Sequence, residues 1–179
     1  MSTWKLIKAD LYRYSGKSDI ATFVFHFFYN KSFAYNFYYR LSNHNLLFVS
    51  FLAKARLKFL IWSTGIDIPP KVKIGKGFYI GHPQSVVINP TCIIGENCNI
   101  SQFVTIGSNN GKAATIGNEV YIGPNVCIIE NVVIGNRVTI GAGSVVTKDI
   151  PDDATVVGVP ARVIHYNNSA RFIKNIAII

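Results

Sequence analysis

Residues 116–145 read, in blocks of six, IGNEVY IGPNVC IIENVV IGNRVT IGAGSV. An aliphatic residue opens every block, and the same six-residue column continues on both sides of this stretch. The column consists of twelve isoleucines and one valine, namely Ile68, Ile74, Ile80, Ile88, Ile94, Ile100, Ile106, Ile116, Ile122, Ile128, Ile134, Ile140 and Val146. A period of six fits neither an amphipathic helix nor a single alternating strand. Short strands stacked in coils around a core do fit it, so residues 68–148 are predicted to form a parallel β-helix.

The six-residue spacing is interrupted at two places, which we call the first slip and the second slip. Eight residues separate Ile80 from Ile88, and ten separate Ile106 from Ile116. A solenoid keeps its core and moves extra residues outward into loops, often on a binding face. The first slip holds residues 81–85, with His82 among them, and the second holds residues 107–115. We therefore expect the functional residues at these two slips.

The formal net charge of +9 lies mostly in the N-terminal third of the chain. Residues 1–63 hold nine Lys and Arg against two acids, whereas the remainder holds nine against seven. Aromatic residues gather in the same segment, at 20–29, 33–39 and 46–62. Packing among helices accounts for such aromatics, and basic charge beside apolar bulk is also typical of an interfacial surface. Peripheral contact with the inner face of the cytoplasmic membrane is therefore an additional expectation.

Targeting signals and cysteines point to the cytoplasm. No uninterrupted apolar run reaches the roughly 20 residues of a spanning helix, because three cations interrupt residues 46–62. The first sixteen residues lack the apolar core of a secretory signal. Cys92, Cys98 and Cys127 are odd in number and lie within the repeat, which favours buried thiols over disulfides or a metal site.

Caps and breakers divide the chain into three parts. Ser2 or Thr3 can cap a helix that runs to about Tyr14, and breaks near residues 15–19, 30–32, 42–45 and 63–65 separate two or three further helices. The prediction is mainly β: a small α-helical N-terminal domain over 1–65, a β-helix over 66–164, and a C-terminal tail over 165–179 that can be helical. With 179 residues, two domains of equal size are not expected.

Residues 140–164, IGAGSVVTKDIPDDATVVGVPARVI, resemble the closing segment of the hexapeptide-repeat acyltransferases. That resemblance implies a left-handed parallel β-helix, a homotrimer and acetyl-CoA as the acetyl donor, with no metal. The handedness comes from the resemblance alone, since the general preference for right-handed crossovers predicts the opposite. The basic residues cluster with apolar ones and match no nucleic-acid-binding motif, so no nucleic-acid partner is expected.

Residues 67–82, DIPPKVKIGKGFYIGH, resemble the segment that leads into the β-helix in the serine O-acetyltransferase branch of these enzymes. The resemblance implies that His82 is the catalytic base and that Asp67 orients it. The chemistry agrees, because an alcohol attacks a thioester only when a base accepts its proton, and histidine titrates near neutrality. A carboxylate on the second ring nitrogen would fix the tautomer and stabilise the imidazolium.

The same resemblance implies a groove for acetyl-CoA between the coils of two subunits. Ala142 matches the position where the pantetheine arm passes a small residue. Thr147, Lys148 and Arg162 match positions that contact the adenosine and phosphate end, and the two cations suit phosphate oxygens.

The second slip departs from the serine acetyltransferase pattern. It is shorter, it has Ala113 and Ala114 where an arginine and a second histidine are expected, and Gly81 stands where an aspartate is expected. These losses favour a sugar hydroxyl acceptor, on a capsular, O-antigen or exopolysaccharide precursor that can be lipid-linked. The alternative is a serine O-acetyltransferase of cysteine biosynthesis, which Ile179 favours because such enzymes dock cysteine synthase through a terminal isoleucine. A non-catalytic scaffold is a third interpretation.

Overall fold

The computed structural model describes residues 1–167 and 170–178. Four helices come first, as expected, with bounds α1 Thr3–Ser15, α2 Ile20–Tyr29, α3 Lys31–Ser42 and α4 Leu47–Thr64. The side chain of Ser2 caps α1 by accepting a hydrogen bond from the Lys5 amide. Asp19 caps α2 through the amide of Thr22 at 2.9 Å, and Gly65, in the left-handed region at φ 67°, ends α4. The helix breaks therefore lie where short polar residues and glycine predict them.

In the part of the chain that the structure describes, fourteen short strands follow and form a three-faced parallel β-helix. Their bounds are β1 Lys73–Ile74, β2 Tyr79–Ile80, β3 Val87–Ile88, β4 Ile93–Ile94, β5 Asn99–Ile100, β6 Thr105–Gly107, β7 Thr115–Ile116, β8 Tyr121–Ile122, β9 Cys127–Ile129, β10 Val133–Ile134, β11 Thr139–Ile140, β12 Val145–Val146, β13 Thr155–Val157 and β14 Arg162–His165. Face A contains β3, β6, β9 and β12; face B contains β1, β4, β7 and β10; face C contains β2, β5, β8, β11, β13 and β14. Only β14 pairs antiparallel, with β13, among the described strands.

The six-residue column forms the interior of this β-helix. Equivalent isoleucines stack in register, as Ile94 pairs with Ile116 and Ile116 with Ile134. Every column member except the half-buried Ile74 is buried, and each such side chain contributes roughly 1.5–3 kcal/mol of transfer free energy. Coils approach closely at the corner where a Cβ on Gly117 would lie 2.7 Å from the carbonyl carbon of Gly135. Glycine in the repeat thus lets successive coils stack.

The two slips lie at two different edges of the β-helix. The first slip forms the corner between faces C and A in coil 1, which contains β1, β2 and β3. The second forms the corner between faces A and B that joins coil 2, with β4, β5 and β6, to coil 3, with β7, β8 and β9. Coil 4 contains β10, β11 and β12. We call these edges the C–A corner and the A–B corner.

Helix α3 attaches the helical region to coil 1 through polar side chains. The Asn36 amide donates to the Phe78 carbonyl at 2.9 Å, and Arg40 donates to the Ile74 carbonyl at 2.8 Å. Arg40 also donates to both carboxylate oxygens of Asp10 on α1, at 2.7 and 3.0 Å. The helices therefore pack on the β-helix, and the division into separate domains stays a prediction.

The C-terminal tail lies along face C and contains no helix in its described part, residues 165–167 and 170–178. Asn99 donates to the Phe172 carbonyl at 3.0 Å, and the Ala177 amide donates to Asn97 at 2.9 Å. These backbone groups bond to side chains of the β-helix, so they are not available for a helical ladder. Ile179 lies outside the described residues.

The fold also bears on membrane-spanning helices and on the three cysteines. Within residues 1–167 and 170–178, no helix combines the length and the apolar character that crossing a membrane requires. Cys92 and Cys98 are free and buried, and burial raises the pKa of each thiol to about 12. Cys127 is half-buried, so the prediction of a buried thiol is wrong there, because the residue directly before Ile128 points outward from face A.

Candidate active site

His82 is exposed at the C–A corner of coil 1. Two backbone hydrogen bonds define the turn: the Gly81 amide donates to Ile100 at 2.8 Å and the Gln84 amide donates to the His82 carbonyl at 2.9 Å. Among the described residues, no hydrogen bond or ion pair involves the imidazole. The ring is therefore available to an incoming hydroxyl group.

Asp67 lies one rung before coil 1 on face A. It pairs in parallel with Val87, its amide donates to Val86 at 2.7 Å, and its carbonyl accepts from Ile88 at 3.1 Å. Its exposed carboxylate forms no hydrogen bond to His82 in the part of the chain that the structure describes. Asp67 and His82 therefore lie on neighbouring rungs, as expected. The contact by which Asp67 would orient the imidazole stays a prediction.

Backbone hydrogen bonds continue the C–A corner from coil 1 to coil 4. Three backbone amides on this edge each donate a hydrogen bond to a carbonyl of the preceding coil. The bonds are Phe103 to Gln84 at 3.1 Å, Asn125 to Gln102 at 3.1 Å and Gly143 to Pro124 at 2.8 Å. Ala142 lies on this edge, three coils above His82, which at about 4.8 Å per rung is roughly 14 Å. Both residues are exposed, and a Cβ built on Gly143 would meet nothing within 4 Å. The corner is therefore an open edge along which an elongated substrate could lie.

The remaining predicted donor-site residues lie at the closing end of the β-helix. Thr147 and Lys148 follow β12 at the A–B corner, and Arg162 pairs with Val157 at the start of β14. All three are exposed. The structure therefore brings them to the same end of the molecule as Ala142, and no hydrogen bond joins their side chains within the described residues.

Glu130 organises the second slip, and sequence reasoning does not single it out. Its carboxylate accepts from the Ser108 hydroxyl at 2.7 Å and from the Asn109 amide at 3.1 Å. The Asn109 amide and then the Ser108 hydroxyl hold the pKa of Glu130 below its ordinary value. The sequence did hold one signal, since the block IIENVV lacks the usual glycine. In the structure, Glu130 adopts a φ of 65°.

The alanines of the second slip belong to the core. Ala113 and Ala114 are 3% and 0% exposed, and the Ala113 amide donates to the Thr91 hydroxyl at 2.9 Å. Their small size therefore fits the packing at the A–B corner. It carries no information about which acceptor the site binds.

Other candidate ligands do not assemble into a metal site. Across the described residues, no group of three or more His, Cys, Asp or Glu side chains is arranged to hold a metal ion. His26 lies among the aromatic rings of the helices, beside Tyr14 and Phe33. His165 lies in β14 at the far end of the molecule from His82.

Comparison with known proteins places these features in a family. Residues 113–148 match the model described as Bacterial transferase hexapeptide (six repeats). A serine acetyltransferase of Synechococcus elongatus is 43% identical over 106 residues, which cover 57% of this chain and 43% of that protein. The chain spans about half the length of the curated relatives that it matches.

Solved structures agree over a larger part of the chain. A soybean serine acetyltransferase complexed with serine is similar with a TM-score of 0.77 and 32% identity, covering 91% of this chain and 70% of that one. A serine acetyltransferase in complex with CoA matches at 24% identity with a TM-score of 0.70, covers 90% of this chain and 69% of that one, and supports the fold alone.

The prediction of a sugar acceptor and of a role in polysaccharide biosynthesis is wrong, because the matching relatives are serine acetyltransferases. The prediction of a sugar acceptor depends on the arginine and histidine that are missing from the second slip. The absence of these side chains does not identify the acceptor. The predicted left-handed hexapeptide-repeat β-helix preceded by helices is confirmed. The chain belongs to the hexapeptide-repeat O-acetyltransferases, in the serine acetyltransferase family.

Proposed function

We propose that the protein transfers an acetyl group from acetyl-CoA to the hydroxyl group of serine. The observation that carries this proposal is the similarity to serine acetyltransferases over 91% of the chain at 32% identity. Support also comes from the relative that was solved in complex with serine. The exposed imidazole at a break of the repeat agrees with the chemistry.

In the proposed reaction, His82 accepts the proton of the serine hydroxyl as the oxygen attacks the thioester carbonyl of acetyl-CoA. The tetrahedral intermediate collapses with cleavage of the carbon–sulfur bond. The departing CoA thiolate takes the proton from the imidazolium, which returns His82 to its neutral form. The products are O-acetylserine and free CoA.

Asp67 is proposed to orient the imidazole rather than to touch the substrate. The two residues lie on neighbouring rungs and both are exposed, and catalytic hydrogen bonds often tighten only when substrate is bound. An Asp67→Asn variant should lower kcat and leave the KM for acetyl-CoA unchanged. Equal kcat for this variant and the parent would remove the orienting role.

The donor is proposed to lie along the C–A corner, with its thioester beside His82. Ala142 leaves the corner open for the pantetheine arm, and Thr147, Lys148 and Arg162 would contact the adenosine and phosphate end. Two cations match the negative charge of the phosphates. The unpaired buried thiols of Cys92 and Cys98 suit a cytoplasmic enzyme.

A homotrimer is proposed as the active assembly. Apolar side chains on the outer surfaces of faces A and B support it: Val87, Ile93 and Val133 are 46%, 42% and 52% exposed. Face C is already covered by the tail. Sedimentation velocity should give three times the chain mass, and a monomer at catalytic concentration would contradict this part of the proposal.

Acceptor specificity tests the function directly. Purified protein is incubated with acetyl-CoA and with serine, threonine, homoserine or simple sugars, and CoA release is followed by thiol titration. Mass spectrometry then identifies the product. We expect O-acetylserine and turnover on serine well above that on the other acceptors; turnover on sugars with none on serine would overturn the proposal.

A further inference from the structure

Helix α4 carries its largest apolar side chains on the side that faces away from the protein. Its buried positions are the small or aliphatic residues Ser50, Ala53, Leu57, Leu60 and Thr64. Its exposed apolar residues, which form the outer face, are Leu47, Phe48, Phe51, Leu52, Phe59 and Trp62. At 3.6 residues per turn these six lie within a sector of about 140°. The usual arrangement of a surface helix is thus reversed, with aromatic rings outward.

Cations border the outer face on both sides. Lys54 and Lys58 lie along one edge of the sector and Arg56 along the other, by the same helical geometry. None of the three forms an ion pair with another described residue. Residues 20–66 contain no acid at all, although Asp67 lines the same groove as Lys54 and Lys58.

Helix α2 extends the apolar surface. It has no buried residue, and Phe25 and Phe28 are among its exposed side chains. Tyr38 connects the two helices, because its ring lies 6.0 Å from the ring of Phe27 on α2 and 5.8 Å from the guanidinium of Arg56 on α4. Both helices therefore contribute to one region of the surface.

We propose that the outer face binds an anionic lipid surface. Apolar and aromatic residues in one sector, flanked by Lys and Arg, are the composition of a helix that lies in the plane of a membrane interface. Trp62 is 90% exposed, and tryptophan is one of the two residue types enriched at the level of the lipid headgroups. The proposal does not depend on the acceptor or on the catalytic residues.

A second copy of the chain fits this surface less well. A two-fold contact would bring the same patch against itself, so the three cations of each copy would face each other, with Asp67 beside Lys54 and Lys58 to offset only part of the charge. Lysine is also depleted at protein interfaces. An anionic lipid surface, in contrast, neutralises these charges while it covers the aromatic rings.

Vesicle sedimentation tests the proposal with the full chain. Vesicles of phosphatidylcholine alone are compared with vesicles that also contain phosphatidylglycerol, at low salt and at about 1 M salt, where the Debye length is about 3 Å. We expect binding to the anionic vesicles only, and its loss at high salt. In a Trp4→Phe background, which leaves Trp62 as the single tryptophan, fluorescence should shift to shorter wavelengths on binding.

Two variants address the two components of the surface. Phe51→Gln with Trp62→Gln should weaken vesicle binding at least tenfold, while acetyl transfer in solution stays at the parent level and reports an intact fold. Lys54→Gln with Lys58→Gln should weaken binding on the order of 25-fold, at about fivefold per cation. Tyr166→Gln, at a site 57% exposed, is the matched aromatic control and should bind like the parent.

Three results would overturn the proposal. They are an absence of binding to anionic vesicles at low salt, equal binding to both kinds of vesicle, and equal binding by the parent and the Phe51→Gln, Trp62→Gln variant. A lower assembly mass for that variant, together with no vesicle binding, would assign the outer face to a second copy of the chain.

Discussion

Replacing Arg40 by methionine should detach the helical region from coil 1. The guanidinium bonds to both carboxylate oxygens of Asp10 and to the carbonyls of Ile74 and Gly75, the last two at 2.8 and 2.6 Å. Methionine retains most of the aliphatic volume and removes all four hydrogen bonds. The carboxylate of Asp10, which is 0% exposed, would keep only uncharged backbone partners, the amides of Phe78 and Gly77.

The expected loss of stability is about 3–5 kcal/mol, the cost of breaking a buried ion pair from one side. Urea unfolding followed by circular dichroism at fixed protein concentration measures it. Hydrogen exchange should show the loss in α1 and α3 and not in the coil 3 strands. Adding Asp10→Asn to the variant should restore at least about 1 kcal/mol, because the unpaired buried charge is gone.

Arg137→Met is the matched control. Arg137 forms an equally short ion pair with Asp153, at 2.7 Å, with the two side chains 44% and 36% exposed. Exposed pairs contribute little, so its unfolding midpoint should stay near that of the parent. Equal effects of the Arg40 and Arg137 substitutions, or a loss below about 1 kcal/mol for Arg40→Met, would refute the reasoning from burial.

Three further predictions concern the loop, the coils and the donor site. The lowered pKa of Glu130 means that its bonds to the second slip are complete above the ordinary glutamate pKa and are lost as pH falls through the folded-state pKa. NMR amide shifts of the loop should report that titration and lose it in Glu130→Gln. Gly117→Ala should cost about 1–3 kcal/mol through its backbone clash, whereas Gly107→Ala, with nothing within 4 Å, should unfold like the parent in urea. Lys148→Gln and Arg162→Gln should each raise the KM for acetyl-CoA at least threefold and leave the KM for serine unchanged; unchanged values for both substrates would assign these cations to the solvated surface.

The local parts of the fold could be predicted and the long-range parts could not. The β-helix follows from a repeat of six, and the helix bounds follow from caps such as Ser2 and Asp19, because neighbouring residues determine both. Contacts between distant segments leave no such pattern. The bonds from Asn99 to the tail and from Arg40 to coil 1 join residues 73 and 34 positions apart, and nothing near either residue in sequence indicates its partner.

The candidate site divides in the same way. The break of the repeat predicts an exposed corner at His82, and the corner is present. The acceptor could not be predicted from the second slip, because Ala113 and Ala114 are core residues whose size reports packing. Glu130 bonds to a loop 20 to 22 residues away. The missing glycine in its block marks an irregular position, and its partners become known only when coils 2 and 3 are stacked.

Acetyl transfer is proposed to depend on the imidazole of His82 at the first slip. The most direct test is CoA release with acetyl-CoA and serine by His82→Ala, with acetyl-CoA binding measured separately by calorimetry. We expect kcat to fall by at least about 100-fold, the lower range for loss of a general base, while the Kd for acetyl-CoA changes less than twofold. Parent-level kcat in a folded His82→Ala variant would contradict the claim.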